Sequence, residues 1–189
     1  MIKQRYDFDE VRKIYQENQK QLDNLVQNIV QLSCENGQTI ATAESCTGGL
    51  LSQKITAVPG ASQMFALGIC TYTNEMKTAI LHVPESTLHT YTAVSPQTAI
   101  AMANGVAALS HADLALSVTG YAGPSGGTAE HPVGTVFLGV AYHGTAFAVH
   151  LPFDQLGVST REGVRQGTAV CAFGIAREIL MEESVCRNI

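Results

Sequence analysis

The stretch Thr39-Ile40-Ala41-Thr42-Ala43-Glu44-Ser45-Cys46-Thr47-Gly48-Gly49-Leu50-Leu51 decides the fold of this chain. Residues 39–43 are a short run with β-branched side chains, which is typical of a strand. Residues 48–57 carry apolar side chains at helical spacing. The stretch therefore predicts a strand, a tight turn and a helix, and the two glycines of the turn allow a positive φ and close approach of a ligand.

Two interpretations of this turn stand side by side. Ser45 and Thr47 place hydroxyl groups where the start of a helix leaves N–H groups unpaired. A hydroxyl beside such donors is the layout of acyl transfer, with a nucleophile next to an oxyanion hole. Ser and Thr are also common helix N-caps, so the segment alone is equally compatible with a cap followed by a packing turn.

The composition indicates a single domain that associates with itself. A length of 189 residues suits one domain, and 46% of the residues are hydrophobic while only 14% are charged. So few charges leave neutral surface to be covered, and we expect a homodimer or a higher homo-oligomer. The net charge of −5 without a basic run disfavours nucleic-acid binding.

The remaining composition favours a cytoplasmic protein without a metal or cofactor. The five cysteines have no metal-ligand spacing, so we expect reduced and mostly buried thiols. The start of the chain is polar, and no apolar run is long enough to span a membrane. The six histidines form no HxH or HxxxH pair. None lies near Ser45 in sequence, so nothing points to a Ser-His-Asp triad. Residues distant in sequence can still form such a triad in the fold, so this alternative stays open.

The rest of the chain alternates between strand-like and helix-like segments. An amphipathic helix is predicted over residues 7–33, capped by Asp7 or Asp9, and is expected to pack on the domain or on a partner subunit. The alternation predicts one α/β domain, a three-layer sandwich with a mixed sheet between helices. Further predicted strands are 64–72 (buried), 113–118, and 133–142 with 145–151 as a hairpin; further predicted helices are 74–81, 84–91 (short), 95–110 and 158–183.

A second corner between a strand and a helix carries Tyr72 and Lys77. The lysine lies one turn into the predicted helix, so its side chain can turn back towards the end of the strand. A lysine desolvated there has a lowered pKa and can act as a base, while a tyrosine hydroxyl can relay a proton. The alternative is a surface lysine beside a core tyrosine.

Two further features suit an anionic ligand. The Gly-rich loop 119–127 follows a predicted strand, and ligands of open α/β sheets bind at the carboxyl ends of strands. Its spacing matches neither a P-loop nor a dinucleotide fingerprint, so it could equally be a plain turn. Arg161 and Arg165, four residues apart, could clamp a phosphate or pair with nearby carboxylates.

Four ordered motifs resemble the CinA C-terminal domain, which is part of the competence/damage-inducible protein CinA. The resemblance covers about residues 22–180, and its motifs are Ala43–Leu50, Thr71–Lys77, Val118–Gly127 and His131–Val136. Stand-alone members of this family are nicotinamide-nucleotide amidohydrolases. The resemblance therefore implies hydrolysis of the carboxamide of nicotinamide mononucleotide to nicotinate mononucleotide and ammonia, in pyridine nucleotide recycling.

The resemblance also implies roles for individual residues. Ser45 would be the nucleophile, Lys77 its general base, and Tyr72 the relay or positioning hydroxyl. The turn residues would bind the reacting amide or its oxyanion, Asn74 would orient Lys77 or the substrate, the Gly-rich loop would line the nucleotide, and the arginines would bind phosphate. The implied substrate-binding residues are Thr47, Gly48, Gly49, Asn74, Thr119, Gly120, Gly123, Gly126, Gly127, Arg161 and Arg165.

The chain departs from the family pattern in three respects. An extension over residues 1–21, which contains the start of the predicted helix 7–33, precedes the family-like domain at 22–189 and is longer than in many members. His131 stands where a lysine is common. The larger CinA proteins carry a separate pyrophosphatase-like domain, for which we expect no room in 189 residues.

The sequence leaves alternative functions open. The chain could be a catalytically silent nucleotide-binding or interaction module related to competence or the DNA-damage response, or a hydrolase for another amide. The amidohydrolase hypothesis makes one geometric demand: the amine of Lys77 must contact the hydroxyl of Ser45 inside a dry pocket.

Overall fold

A five-stranded mixed sheet lies between helices on both faces. The computed structural model describes residues 6–187 of the chain, and the side chains of residues 6–183. The strands are β1 (Ile40–Glu44), β2 (Phe65–Cys70), β3 (Leu114–Gly120), β4 (Thr135–Tyr142) and β5 (Thr145–Pro152). The helices are α1 (Phe8–Asn18), α2 (Leu22–Asn36), α3 (Leu50–Thr56), α4 (Asn74–Leu81), α5 (Glu85–Tyr91), α6 (Pro96–Ser110) and α7 (Arg161–Arg187).

The sheet has the order β2-β1-β3-β4-β5. The first three strands in this order run parallel to one another. Strand β4 runs antiparallel to β3, and β5 runs antiparallel to β4. This arrangement confirms the predicted α/β class with a mixed sheet and flanking helices. It also places the carboxyl ends of β2, β1 and β3 side by side at one end of the strands.

Side chains alternate between two cores along the central strands. Ile40 of β1 packs into the core formed with α1, α2, α3 and α7. Ala41 and Ala43 of the same strand point to the other face, towards Leu81 of α4 and Met102 of α6. Because this second face is lined by small alanines, α6 and α4 can approach the sheet closely, and α4 brings Lys77 with it.

Several boundaries follow from local signals and agree with prediction. Helix α4 spans residues 74–81 as predicted, and the hydroxyl of Thr73 caps it by accepting from the N–H of Met76. Helix α6 begins with Ser95 as the cap and Pro96 as its first residue. The turn between β4 and β5 takes left-handed φ values at residues 143 and 144, which fits a tight hairpin.

The prediction of one helix over residues 7–33 is wrong, because the chain breaks into α1 and α2 at residues 19–21. Asp7 caps α1 as predicted. The apolar spacing continues in phase across the break, so periodicity alone does not reveal it. The predicted extension 1–21 is described only from Tyr6 onward, and its residues 1–5 lie outside the described part of the chain.

The prediction of a buried strand over residues 64–72 is also wrong. Strand β2 is shorter, and its six residues alternate between half-buried and exposed. It lies at the edge of the sheet, where it pairs only with β1. A continuous apolar run does not distinguish a central strand from an edge strand.

Smaller corrections concern one strand, one helix and the cysteines. Strand β3 continues to Gly120, and the last helix begins at Arg161 rather than at residue 158. Of the four cysteines described, Cys46 and Cys171 are buried whereas the other two are exposed, so the expectation of mostly buried thiols holds for only half of them. Within the described residues, no helix is long and apolar enough to cross a membrane.

Gly105 of α6 tests how tightly α4 is held. A Cβ at this position would meet the carbonyl oxygen of Leu81, the last residue of α4. Alanine is ordinarily favoured over glycine by about 1 kcal/mol inside a helix. We nevertheless expect Gly105→Ala to lower the free energy of unfolding by about 1–3 kcal/mol, because the two helices must separate.

Urea denaturation monitored by circular dichroism would measure this effect. The control is Asn104→Ala, which changes the exposed neighbouring position of the same helix and should be neutral or slightly stabilising. A stabilised Gly105→Ala variant would contradict the close approach of α4 and α6.

Candidate active site

The candidate site lies where β1, β2 and β3 end. Ser45 follows β1, Thr71 follows β2, and Thr119 lies near the end of β3. The N–H of Thr71 donates to the carbonyl oxygen of Glu44 over 2.9 Å, so the two corners identified in the sequence are tied together by a backbone hydrogen bond. Both corners lie at the carboxyl ends of the parallel strands, where ligands bind in open α/β sheets.

Lys77 and Ser45 are in direct contact. Lys77 lies in the first turns of α4, and its side chain points back towards the N-terminus of that helix, as helical side chains do. Its Nζ lies 3.1 Å from Ser45 Oγ and 2.8 Å from the carbonyl oxygen of Thr71. The contact that the sequence analysis demanded is therefore present, while the catalytic roles of the two residues stay predictions.

Lys77 is buried without a counter-ion. Its exposure is 1%, and no carboxylate among the described residues lies within ion-pair distance of Nζ. Loss of solvent lowers the pKa of Lys77, and the nearby thiols of Cys46 and Cys70 oppose this shift. An amine with a lowered pKa is present as a neutral base at a lower pH than an ordinary lysine.

Cys46 is adjacent to Ser45 but is not disposed to be the nucleophile. Burial, together with the nearby carboxylate of Glu44, raises the pKa of its thiol to about 12. A thiol is a nucleophile through its thiolate form, which such a pKa suppresses near neutral pH. Ser45, at 9% exposure, is the reactive candidate of the turn.

A buried carboxylate, which the sequence analysis left without a role, organises the turn. Glu44 has no exposed surface and accepts four hydrogen bonds. One oxygen accepts from Thr47 Oγ1 at 2.8 Å and from the N–H of Leu51 at 3.0 Å. The other accepts from the N–H and the hydroxyl of Ser52 at 2.8 and 2.7 Å. The glutamate thus holds both ends of the turn that displays Ser45.

This glutamate occupies the N-terminus of α3. The sequence predicts that N–H groups of the helix start face a ligand, but those of Leu51 and Ser52 donate to the carboxylate instead. The N–H groups of Cys46 and Thr47, by contrast, donate to no other residue in the described part of the chain. They directly follow Ser45 and are available to a ligand bound in front of it.

Gly48 and Gly49 both take positive φ values, +62° and +93°, which explains the glycine pair. Arg165 reaches across from α7 and donates through Nε and Nη2 to the carbonyl oxygen of Thr47, at 3.0 and 2.8 Å. Its Nη1 donates to Glu162 over 3.2 Å. Arg165 therefore supports the backbone of the turn, with three of its donors used within the chain.

Arg161 joins the Gly-rich loop to the second corner. Its Nη1 donates to the carbonyl oxygen of Gly123 over 2.8 Å, and its Nη2 lies 3.3 Å from the hydroxyl of Tyr72. Tyr72 is 60% exposed, and Arg161 is exposed as well. The arginine and the tyrosine hydroxyl are thus accessible to a ligand at the mouth of the site.

The other predicted binding residues are placed less directly. Thr119 is buried, and its hydroxyl donates to the carbonyl oxygen of Ala93 over 2.6 Å, while Gly120 ends β3. Gly126 and Gly127 lie in the exposed part of the loop, which is closed where the N–H of residue 134 donates to the carbonyl oxygen of residue 121. Asn74 is exposed at the start of α4, and its side chain makes no hydrogen bond to another described residue.

An open cleft adjoins the Gly-rich loop. It has a volume of about 740 Å³ and lies between the N-terminus of α6 and loop residues 128–131. Aromatic rings contribute much of its wall, namely Tyr91, Tyr121 and Phe137. Ser45 and Lys77 do not line this cleft.

The comparisons with known proteins show the family to which this chain belongs. The sequence model of the family described as the CinA C-terminal domain matches residues 22–180. The chain belongs to the CinA C-terminal domain family. The matched segment begins at the first residue of α2, so it includes both corners of the site but not α1.

Relatives of this CinA-family chain are longer proteins. It is 44% identical over 167 residues to a putative competence-damage inducible protein of Caldanaerobacter subterraneus subsp. tengcongensis, covering 88% of this chain and 39% of the relative. A protein of the same description from Symbiobacterium thermophilum is 44% identical over 164 residues, covering 84% and 38%. The chain thus spans about two fifths of the length of these curated relatives.

Solved CinA-family structures share the fold. The competence/damage inducible protein CihA of Agrobacterium tumefaciens superposes with a TM-score of 0.78 at 36% identity, covering 86% of this chain and 95% of that one. A competence-damaged protein (CinA) superfamily protein of Klebsiella pneumoniae superposes with a TM-score of 0.80 at 29% identity, covering 85% and 98%. This chain covers almost the whole length of each of these two structures, whereas it covers only about two fifths of the curated relatives.

Glu44→Gln tests the buried carboxylate of this CinA-family chain. The amide retains the size of the side chain but brings an NH₂ group against donors that now bind an oxygen. We expect the free energy of unfolding to fall by about 3 kcal/mol, because buried donors lose charged partners. Urea denaturation would measure it. The control is Glu35→Gln, at an exposed position of α2, which should change the free energy of unfolding by less than about 0.5 kcal/mol. An equally small effect of Glu44→Gln would contradict the role of Glu44 in holding the turn.

Proposed function

We propose that this protein is an amidohydrolase that converts nicotinamide mononucleotide to nicotinate mononucleotide and ammonia. The observation that carries the proposal is the 3.1 Å contact between Lys77 Nζ and Ser45 Oγ, with the amine buried and free of any carboxylate among the described residues. A hydroxyl beside a desolvated amine is a nucleophile next to its base. The choice of substrate comes from the family resemblance.

In the proposed reaction, the neutral amine of Lys77 takes the proton of Ser45 as Oγ bonds to the carboxamide carbon. The oxyanion that forms would accept from the N–H groups of Cys46 and Thr47. The ammonium of Lys77 then gives its proton to the departing nitrogen, and ammonia leaves as the C–N bond breaks. Ser45 is left as an ester of the nicotinate group.

Hydrolysis of the ester uses the same two side chains. A water molecule gives a proton to the amine of Lys77 as its oxygen bonds to the ester carbon. The bond to Ser45 Oγ breaks, and the proton passes from Lys77 to Oγ, which restores both groups and releases the carboxylate product. The carbonyl oxygen of Thr71, at 2.8 Å from Nζ, would keep the amine aimed at Ser45 throughout.

The nucleotide part of the substrate is proposed to lie on the accessible side of the site. Arg161 is exposed and retains N–H donors beyond its bonds to Gly123 and Tyr72, so it suits a phosphate. Arg165 is the weaker phosphate candidate, because it already supports the carbonyl oxygen of Thr47. The exposed glycines of the loop would let the backbone approach the ribose phosphate.

An ammonia-release assay with nicotinamide mononucleotide tests the activity. We expect turnover by the unmodified protein and a loss of about 10³-fold or more in kcat for Ser45→Ala and for Lys77→Met. Lys54→Met is the matched control, because that lysine is paired with Asp23 on the surface of α3, away from Ser45. It should retain the original rate.

Two results would contradict the proposal. Undiminished turnover by a folded Ser45→Ala variant would remove the serine mechanism. Thermal stabilisation by the nucleotide without ammonia release from the unmodified protein would favour the silent binding module instead. A small panel of other amides in the same assay would identify a hydrolase with a different substrate.

The pH dependence of kcat/KM tests the role of Lys77. Burial favours the neutral amine and lowers the pKa of Lys77, so the fraction of active base rises with pH. We expect kcat/KM to rise with pH and to level off below about 10.4, the ordinary pKa of lysine. A profile that is flat, or that breaks only at the ordinary value, would contradict this role.

Cys70→Ser is the control for this profile. The thiol of Cys70 lies near the amine, and burial raises its pKa, so it also loses its proton at alkaline pH. If Lys77 is responsible for the rise in rate, replacing the thiol should leave the break in place. A break that disappears in Cys70→Ser would assign it to the thiol.

A further inference from the structure

The open cleft beside the Gly-rich loop has no part in the proposed reaction. Its volume of about 740 Å³ is within the range of small-molecule sites in proteins, which is roughly 300–1,000 Å³. Ser45, Lys77 and Arg161 do not line it. The molecule therefore carries a second concave surface that is separate from the reactive pair.

The cleft and the candidate active site are neighbours along the sheet. Phe137 of β4, which lines the cleft, lies opposite Thr119 of β3 in the strand register. The hydroxyl of Thr119 donates to the carbonyl oxygen of Ala93, in the segment that leads into α6. Ser45 follows β1, on the other side of β3. Strand β3 and the bond from Thr119 to Ala93 therefore separate the two sites.

The aromatic wall of the cleft is fixed from behind. Phe137 pairs across the strands with His150, and their rings are stacked with centroids 5.0 Å apart. The ring of His131 meets Phe137 edge-on at 5.6 Å. The N–H of Tyr121 donates to the carbonyl oxygen of Thr135 over 2.9 Å. These rings are held in place by the sheet, so the wall is formed before a ligand arrives.

The opposite wall contains a strained residue. Thr92 has a φ of +65°, which is rare and costly for a β-branched side chain. Two hydroxyls at the start of α6 hold its carbonyl oxygen, namely Thr98 Oγ1 at 2.7 Å and Ser95 Oγ at 3.3 Å. Tyr91 directly precedes it and is 47% exposed. Strain held in this way is concentrated at functional sites.

The charges around the cleft disfavour an anionic ligand. No lysine or arginine is among the described residues that line it, and a phosphate would need such donors. Glu130 supplies a carboxylate, and Gln97 supplies an amide. Hydroxyls of threonine add further donors and acceptors, at residues 90, 92 and 128. The cleft thus suits a neutral planar molecule that donates hydrogen bonds.

We propose that this cleft binds a purine nucleoside that carries an amino group on its base. The base would stack on the rings of Tyr91 and Tyr121, as bases stack on aromatic side chains in other proteins. Its amino group would donate to the carboxylate of Glu130. The ribose hydroxyls would bond to the amide of Gln97 and to the threonine hydroxyls.

This site is independent of the proposed hydrolase activity. None of its contacts involves Ser45 or Lys77, and the ligand is not the amide that those residues would cleave. Nucleoside binding can be measured whether or not ammonia is released. A failure of either proposal therefore leaves the other one standing.

Isothermal titration calorimetry of the full chain with adenosine tests the proposal. We expect one adenosine per chain, and we expect Tyr121→Ala to raise the dissociation constant at least about tenfold through the loss of stacking. The matched control is Phe8→Ala, which removes an exposed ring from α1. Lys77→Met should also keep the original affinity, because the lysine lies outside the cleft.

A second pair of measurements keeps the test decisive if Tyr121→Ala does not fold. Purine riboside lacks the amino group of adenosine, and we expect it to bind at least about threefold more weakly. Glu130→Ala, at an exposed loop position, should remove this difference by weakening adenosine alone. Glu17→Ala is the control, at an exposed position of α1, and should preserve the difference.

Three results would overturn the proposal. The first is the absence of adenosine binding at millimolar concentration. The second is an unchanged affinity in a folded Tyr121→Ala variant, or an affinity lost in Lys77→Met, since either would place adenosine elsewhere. The third is an equal affinity of the unmodified chain for adenosine and purine riboside, which would remove the amino group from recognition.

Discussion

The burial of Lys77 without a counter-ion is the constraint on which the site depends. A charged ammonium in such a place is costly, so the position favours the neutral amine. Lys77 reaches this position because α4, capped by Thr73, begins shortly after β2 ends. Helix α6 packs closely against α4 on the same face of the sheet. The packing of two helices thus determines the protonation chemistry of one side chain.

Ser45 is held by contacts from two directions. Glu44 lies beneath the turn and binds the hydroxyl of Thr47 and the first N–H groups of α3, whereas Arg165 binds the carbonyl oxygen of Thr47 from α7. Opposite sides of one peptide segment are therefore fixed by groups of opposite charge. A turn restrained in this way holds its remaining N–H donors in place, and the proposed reaction would need this preorganisation to stabilise an oxyanion.

One continuous segment carries both an open edge and half of the site. Strand β2, Tyr72 and Lys77 follow one another within thirteen residues, counted from 65 to 77. The edge residues are uncharged, while the lysine turns inward to Ser45. The open edge of the sheet and Tyr72 therefore adjoin the same corner of the site.

Local signals in the sequence were sufficient for much of the fold and for the central pair of the site. The Ser95-Pro96 start of α6 and the His143-Gly144 turn are decided by neighbouring residues, and both formed where expected. The spacing from Tyr72 to Lys77 likewise indicated that the lysine could turn back over the strand end.

Contacts between distant segments required the tertiary structure. The bond from Arg165 to the carbonyl oxygen of Thr47 joins residues 118 positions apart, and the role of Glu44 depends on where the turn brings Leu51 and Ser52. The exposure of β2 depends on its place at the edge of the sheet, which an apolar run does not encode. The sequence by itself determined most of the elements, their order and the pairing of Ser45 with Lys77 as candidates, because caps, turns and periodicity act over a few residues. Only the tertiary structure decided which groups support them and which apolar surface remains uncovered, because those depend on how distant segments pack.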